Sequence, residues 1–369
     1  MTVPLFDITG RNRANPFFLS EVGDFALTRA GEIAEAELDA SPDWVIYALD
    51  VPNRQALLVE MPQGTDLSQA VFVYAATYDQ ARRAALLSFD RLIALSAGFA
   101  QQRIAFLFST GRCGSNLASR IFAQLPEVWS LSEPDYAGNI AVWRKTLSDQ
   151  DAVDLVRAAT LWTCRPPKGR NPETIVLKLR SEATLIAETI HRAFPDAPSV
   201  FMYRDALGYI NSINKFAQRA MGEAFFTMAE PWRQVWSFVM AGQPLSLLED
   251  YFAPDHGPIA GVEFSVLVWD QRIDGYLCAL RRGMKFTAVH YADLNGNRET
   301  ESARLLAGCG VSLAHLDRAM AGFTQDSHKG SATANTTPAR EMTAEERARA
   351  TALLARMGKR DYVDARLPE

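Results

Sequence analysis

Short apolar segments that alternate with helical patterns constrain the fold of this chain more than any other sequence feature. Four such segments lie at residues 104–108, 174–179, 199–203 and 285–290, and a helical pattern follows each of them. A strand that is apolar on both faces belongs inside a sheet that helices cover on both sides, which is typical of parallel sheets. The sequence therefore predicts an α/β domain over residues 101–369, with a three-layer parallel sheet flanked by helices.

The first 100 residues lack this alternation and are predicted to form a small α+β domain of unknown role. Strands are expected at residues 44–49, 56–61 and 70–75, and turn sequences close the first two. A helix is expected from Asp79 onward, because aspartate is a good N-cap. Its buried face is expected to carry four apolar side chains at helical spacing: Leu86, Phe89, Ile93 and Ala97. This domain shows no catalytic pattern.

Charge and cysteine content exclude several classes of protein. Lys and Arg number 38 and Asp and Glu number 43, so the net charge of −5 gives no overall basic surface for nucleic acid. The four cysteines lie far apart, which is typical of a reducing compartment and predicts a cytoplasmic protein. The five histidines lack the spacing of metal ligands, so no metal site is expected. No segment reaches the roughly 20 apolar residues of a membrane helix, and no signal peptide is expected.

The loop after the 104–108 segment carries the first candidate site. Residues 109–117 read Ser-Thr-Gly-Arg-Cys-Gly-Ser-Asn-Leu. Gly111 and Gly114 permit a tight turn and close approach of the backbone to an anion, and N–H groups at a helix N-terminus point toward such an anion. The loop differs from a Walker A loop, because no lysine follows its second glycine and Arg112 lies inside it. A plain tight turn is the alternative.

A second candidate site begins where the 199–203 segment ends. Arg204 follows that segment directly, and Ser212 lies eight residues further on, in a predicted helix. A guanidinium binds phosphate in a bidentate manner, and a hydroxyl two helical turns along adds a second contact. The alternative is a structural ion pair between Arg204 and Asp205.

Together these segments resemble the sulfotransferases that use 3′-phosphoadenosine 5′-phosphosulfate (PAPS) as sulfuryl donor. Residues 109–117 are similar to the family's 5′-phosphosulfate loop. The spacing of Arg204 and Ser212 equals that of the family's 3′-phosphate motif. Residues 290–294, His-Tyr-Ala-Asp-Leu, resemble the family's Tyr-Glu-Asp segment, which also follows a strand.

Two further segments are similar to the family more distantly. Residues 326–331 contain Lys329 and Gly330, where the family carries a Lys-Gly loop over the nucleotide. Residues 357–362 are similar to the family's terminal Gly-Tyr helix end. The resemblance covers about residues 103–362. It implies a P-loop-type α/β fold and a soluble PAPS-dependent sulfotransferase.

The resemblance also implies roles for the matching residues. Six loop residues hold the 5′-phosphosulfate: Gly111, Arg112, Cys113, Gly114, Ser115 and Asn116. Arg112 stabilises the charge that develops on the bridging oxygen. Asn116 departs from the Ser or Thr that is usual in the family, and Cys113 is expected to be a small packing residue rather than a reactive thiol.

The nucleotide's other end and the reaction itself are assigned in the same way. Arg204 and Ser212 hold the 3′-phosphate, while Tyr291 contacts the adenine or else lies in the core. Glu133 is the candidate general base, with Asp135 in reserve, since relatives place a glutamate at this point. A structural role in orienting the loop or Arg112 is the alternative for Glu133.

The acceptor is left open by the sequence. The implied reaction moves the sulfuryl group to a hydroxyl or amine of a small molecule, glycan or lipid, and leaves 3′-phosphoadenosine 5′-phosphate (PAP), with no metal. Six aromatic residues between the motifs are candidates for an acceptor pocket or for the core: Trp143, Trp162, Phe225, Phe226, Trp232 and Trp236. The first domain is a candidate for shaping that pocket or for forming a homo-oligomer. A P-loop small-molecule kinase and a catalytically silent nucleotide-binding protein are the rival hypotheses.

Overall fold

The computed structural model describes residues 1–221, 261–324, 340–359 and 366–368. The first part of the chain forms an antiparallel five-stranded sheet. Its strands are β1 (Thr2–Arg11), β2 (Phe25–Ala34), β3 (Trp44–Asp50), β4 (Gln55–Glu60) and β5 (Arg83–Ser88), in the order β2-β1-β5-β4-β3. Three helices accompany the sheet: α1 (Glu35–Ala40), α2 (Val73–Gln80) and α3 (Phe89–Ser96). The predicted strands at residues 44–49 and 56–61 are confirmed.

Two predictions for this region are wrong. Residues 70–75 do not form a strand, because α2 begins at Val73. The helix expected from Asp79 is interrupted by β5, and α3 begins only at Phe89, where the Ser88 hydroxyl accepts a hydrogen bond from the backbone of Arg91. The physical reason is that β5 pairs with β1 on one side and β4 on the other, and this pairing outweighs the helical spacing of the apolar residues.

The second part of the chain forms a five-stranded parallel sheet. Its strands are β6 (Ile104–Ser109), β7 (Val128–Ser132), β8 (Thr174–Lys178), β9 (Ser199–Tyr203) and β10 (Thr287–His290), in the order β10-β9-β6-β8-β7. Every residue of β6, β7, β8 and β9 is buried, as expected for a sheet that is covered on both faces. The prediction of an α/β fold with a parallel sheet flanked by helices is confirmed.

Helices connect and cover these strands. They are α4 (Ser115–Ala123), α5 (Tyr136–Trp143), α6 (Asp149–Thr163), α7 (Ala187–Ala193), α8 (Ala206–Met221), α9 (Gly261–Arg281), α10 (Tyr291–Gly296), α11 (Arg298–Gly308), α12 (Leu316–Met320) and α13 (Ala344–Arg356). The helical pattern after the 174–179 segment forms a 3-10 helix (Ser181–Ile186) followed by α7. A capping box precedes α13, in which Thr343 and Glu346 exchange side-chain to backbone hydrogen bonds of 3.2 and 2.8 Å. Within the described ranges, no helix is long and apolar enough to cross a membrane.

Buried polar contacts join the two parts of the chain. The side chain of Asn139 on α5 accepts a 3.0 Å hydrogen bond from the backbone of Leu49 on β3 and donates a 3.0 Å bond to the carbonyl of Ser20. The Trp162 indole donates to the carbonyl of Trp44 at 2.8 Å. One apolar cluster contains buried side chains from both sheets. The antiparallel sheet is therefore fixed against the helices of the parallel sheet.

We expect Asn139→Ala to lower the free energy of unfolding by about 2–4 kcal/mol, because it leaves a buried N–H and a buried carbonyl without partners. Urea unfolding measures the change. Asn53→Ala is the matched control, because Asn53 is exposed and its hydrogen bonds within the described part of the chain go to Asp50 in its own turn, so its effect is expected within about 0.5 kcal/mol. Equal effects of the two substitutions would contradict the proposed importance of the Asn139 contacts.

Candidate functional site

The strand order creates a crevice at the carboxyl edge of the parallel sheet. Strand β6 lies between β8 and β9, and the chain leaves β6 toward the β7 side but leaves β9 toward β10. Loops that diverge in this way open a crevice beyond the strand ends, where ligands of open α/β sheets bind. The loop after β6 and the residues after β9 border this crevice. They are tied together by a 3.0 Å hydrogen bond from the Thr110 backbone to the carbonyl of Met202.

The loop between β6 and α4 has an unusual backbone. Gly111 and Gly114 have φ of +77° and +81°, a region that favours glycine, and Arg112 between them also has a positive φ of +51°. Helix α4 then begins at Ser115 after Gly114, an N-cap residue with no side chain to cap it, and its first turn holds no acidic residue. A helix start of this kind favours a bound anion through its N–H groups and its dipole.

Cys113 lies inside this loop and faces the protein interior. It is fully buried, and its Sγ donates a hydrogen bond of 3.3 Å to the carbonyl of Met202. Burial raises the pKa of the Cys113 thiol, which opposes formation of a thiolate. These observations favour the packing role for the side chain and leave only the Cys113 backbone available to a ligand.

Arg112 and Ser212 meet across the crevice although they are far apart in sequence. The Arg112 Nε donates a 3.2 Å hydrogen bond to the Ser212 Oγ on α8. The Arg112 guanidinium also lies over the ring of Phe216, 5.3 Å from its centroid, one turn further along α8. The loop arginine and the helix serine therefore belong to one site.

Arg204 lies in the same crevice and does not form the structural ion pair considered above. Asp205 instead accepts a 2.6 Å hydrogen bond from the backbone of Gly208, and no ion pair joins it to Arg204. The Arg204 Nε is buried and has no hydrogen-bond partner in the described part of the chain. A Cβ at position 208 would lie 2.7 Å from this Nε, so Gly208 leaves the space through which the Arg204 side chain passes.

Tyr291 connects Arg204 to the loop. The Arg204 guanidinium lies 4.5 Å from the centroid of the Tyr291 ring. The same ring packs against Gly114, where an added Cβ would lie 3.0 Å from the Tyr291 Cδ2. Lys329 and Gly330 lie outside the described residues, as do the aromatic candidates Phe225, Phe226, Trp232 and Trp236.

Glu133 lies at the end of β7 and is paired with a lysine that the sequence analysis missed. The Glu133 carboxylate forms an ion pair with Lys178, the last residue of β8, whose side chain is 1% exposed. The Lys178 ammonium also donates a 2.7 Å hydrogen bond to Asn116 Oδ1 in the first turn of α4. Lys178 thus links Glu133, the candidate base, to the start of α4, next to the loop that is the candidate phosphate-binding site. In the sequence, a lysine at the end of an otherwise apolar strand is the feature that could have identified Lys178 as a candidate.

The backbone at Glu133 is also held in place. Its φ is +58°, in the left-handed region, and its N–H donates a 2.7 Å hydrogen bond to the carbonyl of Lys178. The carboxylate atom Oε1 receives the Lys178 ammonium, whereas Oε2 has no hydrogen-bond partner within the described ranges. Glu133 therefore has one oxygen that is fixed and one that is available to a proton donor.

Asp135, the reserve candidate for the base, has a different environment. Its Oδ2 accepts hydrogen bonds of 2.8 Å from both the backbone and the hydroxyl of Ser20, and its Oδ1 accepts a 3.1 Å bond from Arg180. Burial raises the pKa of this carboxyl, and the charge of Arg180 opposes that rise. Because both oxygens are engaged, Asp135 serves to join the two parts of the chain.

The described residues offer no metal site, and the chain resembles a known structure only distantly. Among the residues that the structure describes, no group of three or more His, Cys, Asp or Glu side chains could hold a metal ion. No protein-family model matches the chain, and no curated protein matches it in sequence. The chain is similar to the crystal structure of the sulfotransferase STF9 from Mycobacterium avium, with 12% identity and a TM-score of 0.41 over 76% of this chain and 83% of that chain. So distant a likeness carries no argument about activity.

We expect Lys178→Met to lower the free energy of unfolding by about 3–5 kcal/mol, because it leaves the Glu133 carboxylate without its buried partner. Adding Glu133→Gln in the same chain is expected to recover part of that loss, since a neutral amide tolerates the site better. Urea unfolding of the wild type, both single variants and the double variant gives the coupling between the two side chains. Strictly additive losses would show that the two charges do not stabilise each other.

Proposed function

We propose that this chain is a sulfotransferase that transfers the sulfuryl group of PAPS to a hydroxyl group and releases PAP. The observation that carries the proposal is the convergence of two arginines at one crevice, Arg112 bonded to Ser212 and Arg204 beside Tyr291. These are the positions that the sequence resemblance assigns to the two anionic ends of the nucleotide. PAPS supplies, when bound, a sulfuryl group on its 5′-phosphate.

Arg204 is suited to the 3′-phosphate. Its buried Nε lacks a partner in the described part of the chain, and a buried donor without an acceptor is costly, so an anion at this point would satisfy it. Tyr291 supports the guanidinium from one side, and Gly208 keeps the space beside it open. The hydroxyl of Ser212, which accepts from Arg112, can at the same time donate to a phosphate oxygen.

The β6–α4 loop is suited to the 5′-phosphosulfate. Its left-handed residues and the uncapped start of α4 favour an anion, and Arg112 adds a positive charge beside them. During transfer the sulfur–oxygen bond to the phosphate breaks and the phosphate oxygen gains charge. A cation already positioned at that oxygen lowers the barrier, and this is the role that we assign to Arg112.

Glu133 is suited to accept the proton of the acceptor hydroxyl. Its Oε2, which has no hydrogen-bond partner among the described residues, takes that proton while the acceptor oxygen forms the new bond to sulfur, and Lys178 holds Oε1. Because Lys178 also binds Asn116, the base and the phosphosulfate loop keep a fixed relation to each other. Fixed relations between reacting groups are a large part of catalysis in two-substrate reactions.

The direct test is radiolabelled sulfuryl transfer from PAPS to a panel of phenols, alcohols and amines, together with calorimetric binding of PAP. Binding with transfer supports the proposal. PAP binding without transfer to any acceptor would favour a silent nucleotide-binding protein, and phosphoryl transfer from ATP would favour a kinase.

We expect the two arginines to fail in different ways. Arg112→Ala should lower kcat by about 10²–10³-fold with little change in the Kd of PAP, because Arg112 acts on charge that develops during transfer. Arg204→Ala should raise the Kd of PAP and the KM of PAPS, because Arg204 binds a phosphate that does not react. Arg82→Ala, which removes an exposed arginine just before β5, is the control and should change neither constant. Equal losses of binding and turnover in the Arg112 variant would remove its assigned role.

A further inference from the structure

The first part of the chain contains a cavity of about 550 Å³ that is separate from the crevice described above. It lies beside α2 and the segment that precedes it. Its wall includes Leu67, Phe72, Tyr74, Ala75 and Tyr78, with Arg13 from the loop after β1. A volume of this size falls within the roughly 300–1,000 Å³ range of small-molecule sites.

Two residues of the cavity wall lie beside cations at or just after the end of β8: Phe72 beside Lys178, and Tyr74 with its ring centroid 4.9 Å from the Arg180 guanidinium. The Lys178 ammonium, which pairs with Glu133, lies 5.4 Å from the centroid of the Phe72 ring. Burial, and then the nearby charge of Glu133, raises the pKa of the Tyr74 phenol. The Tyr74 hydroxyl has no hydrogen-bond partner in the described part of the chain. Phe72 and Tyr74 therefore join the cavity to the place where the acceptor's proton must be taken.

The charges around the cavity disfavour an anionic ligand. Arg13 is the one cation among the described lining residues, and its guanidinium is already used. It donates to Tyr47 OH at 3.2 Å and to Ser20 Oγ at 3.4 Å, and it lies 3.8 Å from the Asp135 carboxylate. A buried guanidinium with these partners has little left to offer a carboxylate or sulfate of a ligand.

The acidic residues of the wall point in the same direction. Asp66 is paired with Arg170 at 2.6 Å and accepts the Trp129 indole N–H at 2.9 Å, so it is also engaged. Asp79, at the end of α2, is exposed and leaves a negative charge at the edge of the cavity. An uncharged ligand meets no repulsion here, whereas an anionic one does.

The wall also has a shape that favours a flat ring. The rings of Phe72 and Tyr74 are stacked, with centroids 5.3 Å apart and an interplanar angle of 12°. Parallel aromatic faces of this kind pack well against another aromatic ring. Ala75 and Ala76 also line the cavity, and their small side chains leave room in it.

We propose that this cavity is the acceptor site and that it takes an uncharged phenol, whose hydroxyl lies between Tyr74 and Glu133. The proposal rests on the sulfotransferase function proposed above. The phenol O–H proton passes to Glu133 Oε2, the phenol oxygen bonds to the sulfur, and the bond from sulfur to the nucleotide phosphate breaks. The first 100 residues thus supply the acceptor site, and the parallel sheet supplies the donor site.

The test measures binding of 2-naphthol to the full chain by calorimetry, in the presence of saturating PAP. Ala75→Trp fills the cavity and is expected to weaken 2-naphthol binding at least tenfold. Ala36→Trp, on the exposed face of α1, is the matched control and should leave the affinity unchanged. If Ala75→Trp does not fold, as judged by circular dichroism, Ala76→Leu adds a smaller obstruction to the same wall and replaces it.

A second probe tests the charge argument. The anion 6-hydroxy-2-naphthoate keeps the ring system and the hydroxyl, and we expect it to bind at least tenfold more weakly than 2-naphthol. Equal binding of the two probes, or equal 2-naphthol binding by the Ala75→Trp and wild-type chains while PAP still binds, would overturn the acceptor site and leave the sulfotransferase proposal intact. If PAP does not bind to the wild-type chain in the same calorimetric measurement, the proposed function is overturned, and with it the acceptor role of the cavity.

Discussion

A buried lysine charge constrains the centre of this molecule. Lys178 is 1% exposed, and a lysine at that depth is stable only when its ammonium is paired and hydrogen-bonded. The partners are Glu133 at the end of β7 and Asn116 at the start of α4, the helix that follows β6. The Lys178 ammonium therefore connects the carboxyl ends of three neighbouring strands, β6, β8 and β7. The geometry of the crevice depends on this link, because it positions the loop helix relative to the residue that we assign as the base.

The antiparallel sheet is built into the same arrangement. Arg180, two residues after Lys178, binds Asp135 and the carbonyls of Phe17 and Phe18, so the loop after β1 rests against the carboxyl edge of the parallel sheet. The Arg180 guanidinium also lies 4.9 Å from the centroid of the Tyr74 ring. The cavity in the first part of the chain can therefore lie next to the proposed catalytic residues in the second part. This arrangement explains why a segment without catalytic residues matters to the proposed reaction.

Sequence reasoning succeeded where a pattern is local and failed where partners are distant. Residues 104–108 and 200–203 are continuous apolar runs, and the burial of their strands on both faces follows from that pattern. Strand β1 shows little regular alternation of apolar and polar residues. Its pairing with β2 has register shifts between Leu5 and Phe6 and between Ile8 and Gly10, which break such an alternation. The motif residues Arg112, Ser212, Arg204 and Tyr291 could be chosen from spacing and resemblance. Lys178 was missed, because a lysine at the end of an apolar strand gains its importance only from partners elsewhere in the fold, Glu133 and Asn116. Likewise, the engagement of Asp135 by Ser20 is invisible until the chain folds.

Every role proposed for this chain depends on a crevice that recognises a nucleotide with a 3′-phosphate. Thermal unfolding of the wild-type chain in the presence of PAP, ADP or ATP tests it most directly. A ligand that binds only the folded state stabilises it by about 2.7 kcal/mol at a hundred times its Kd. We expect a rise in Tm with PAP and a much smaller one with ADP, which lacks the 3′-phosphate. A rise with ATP and none with PAP would contradict it.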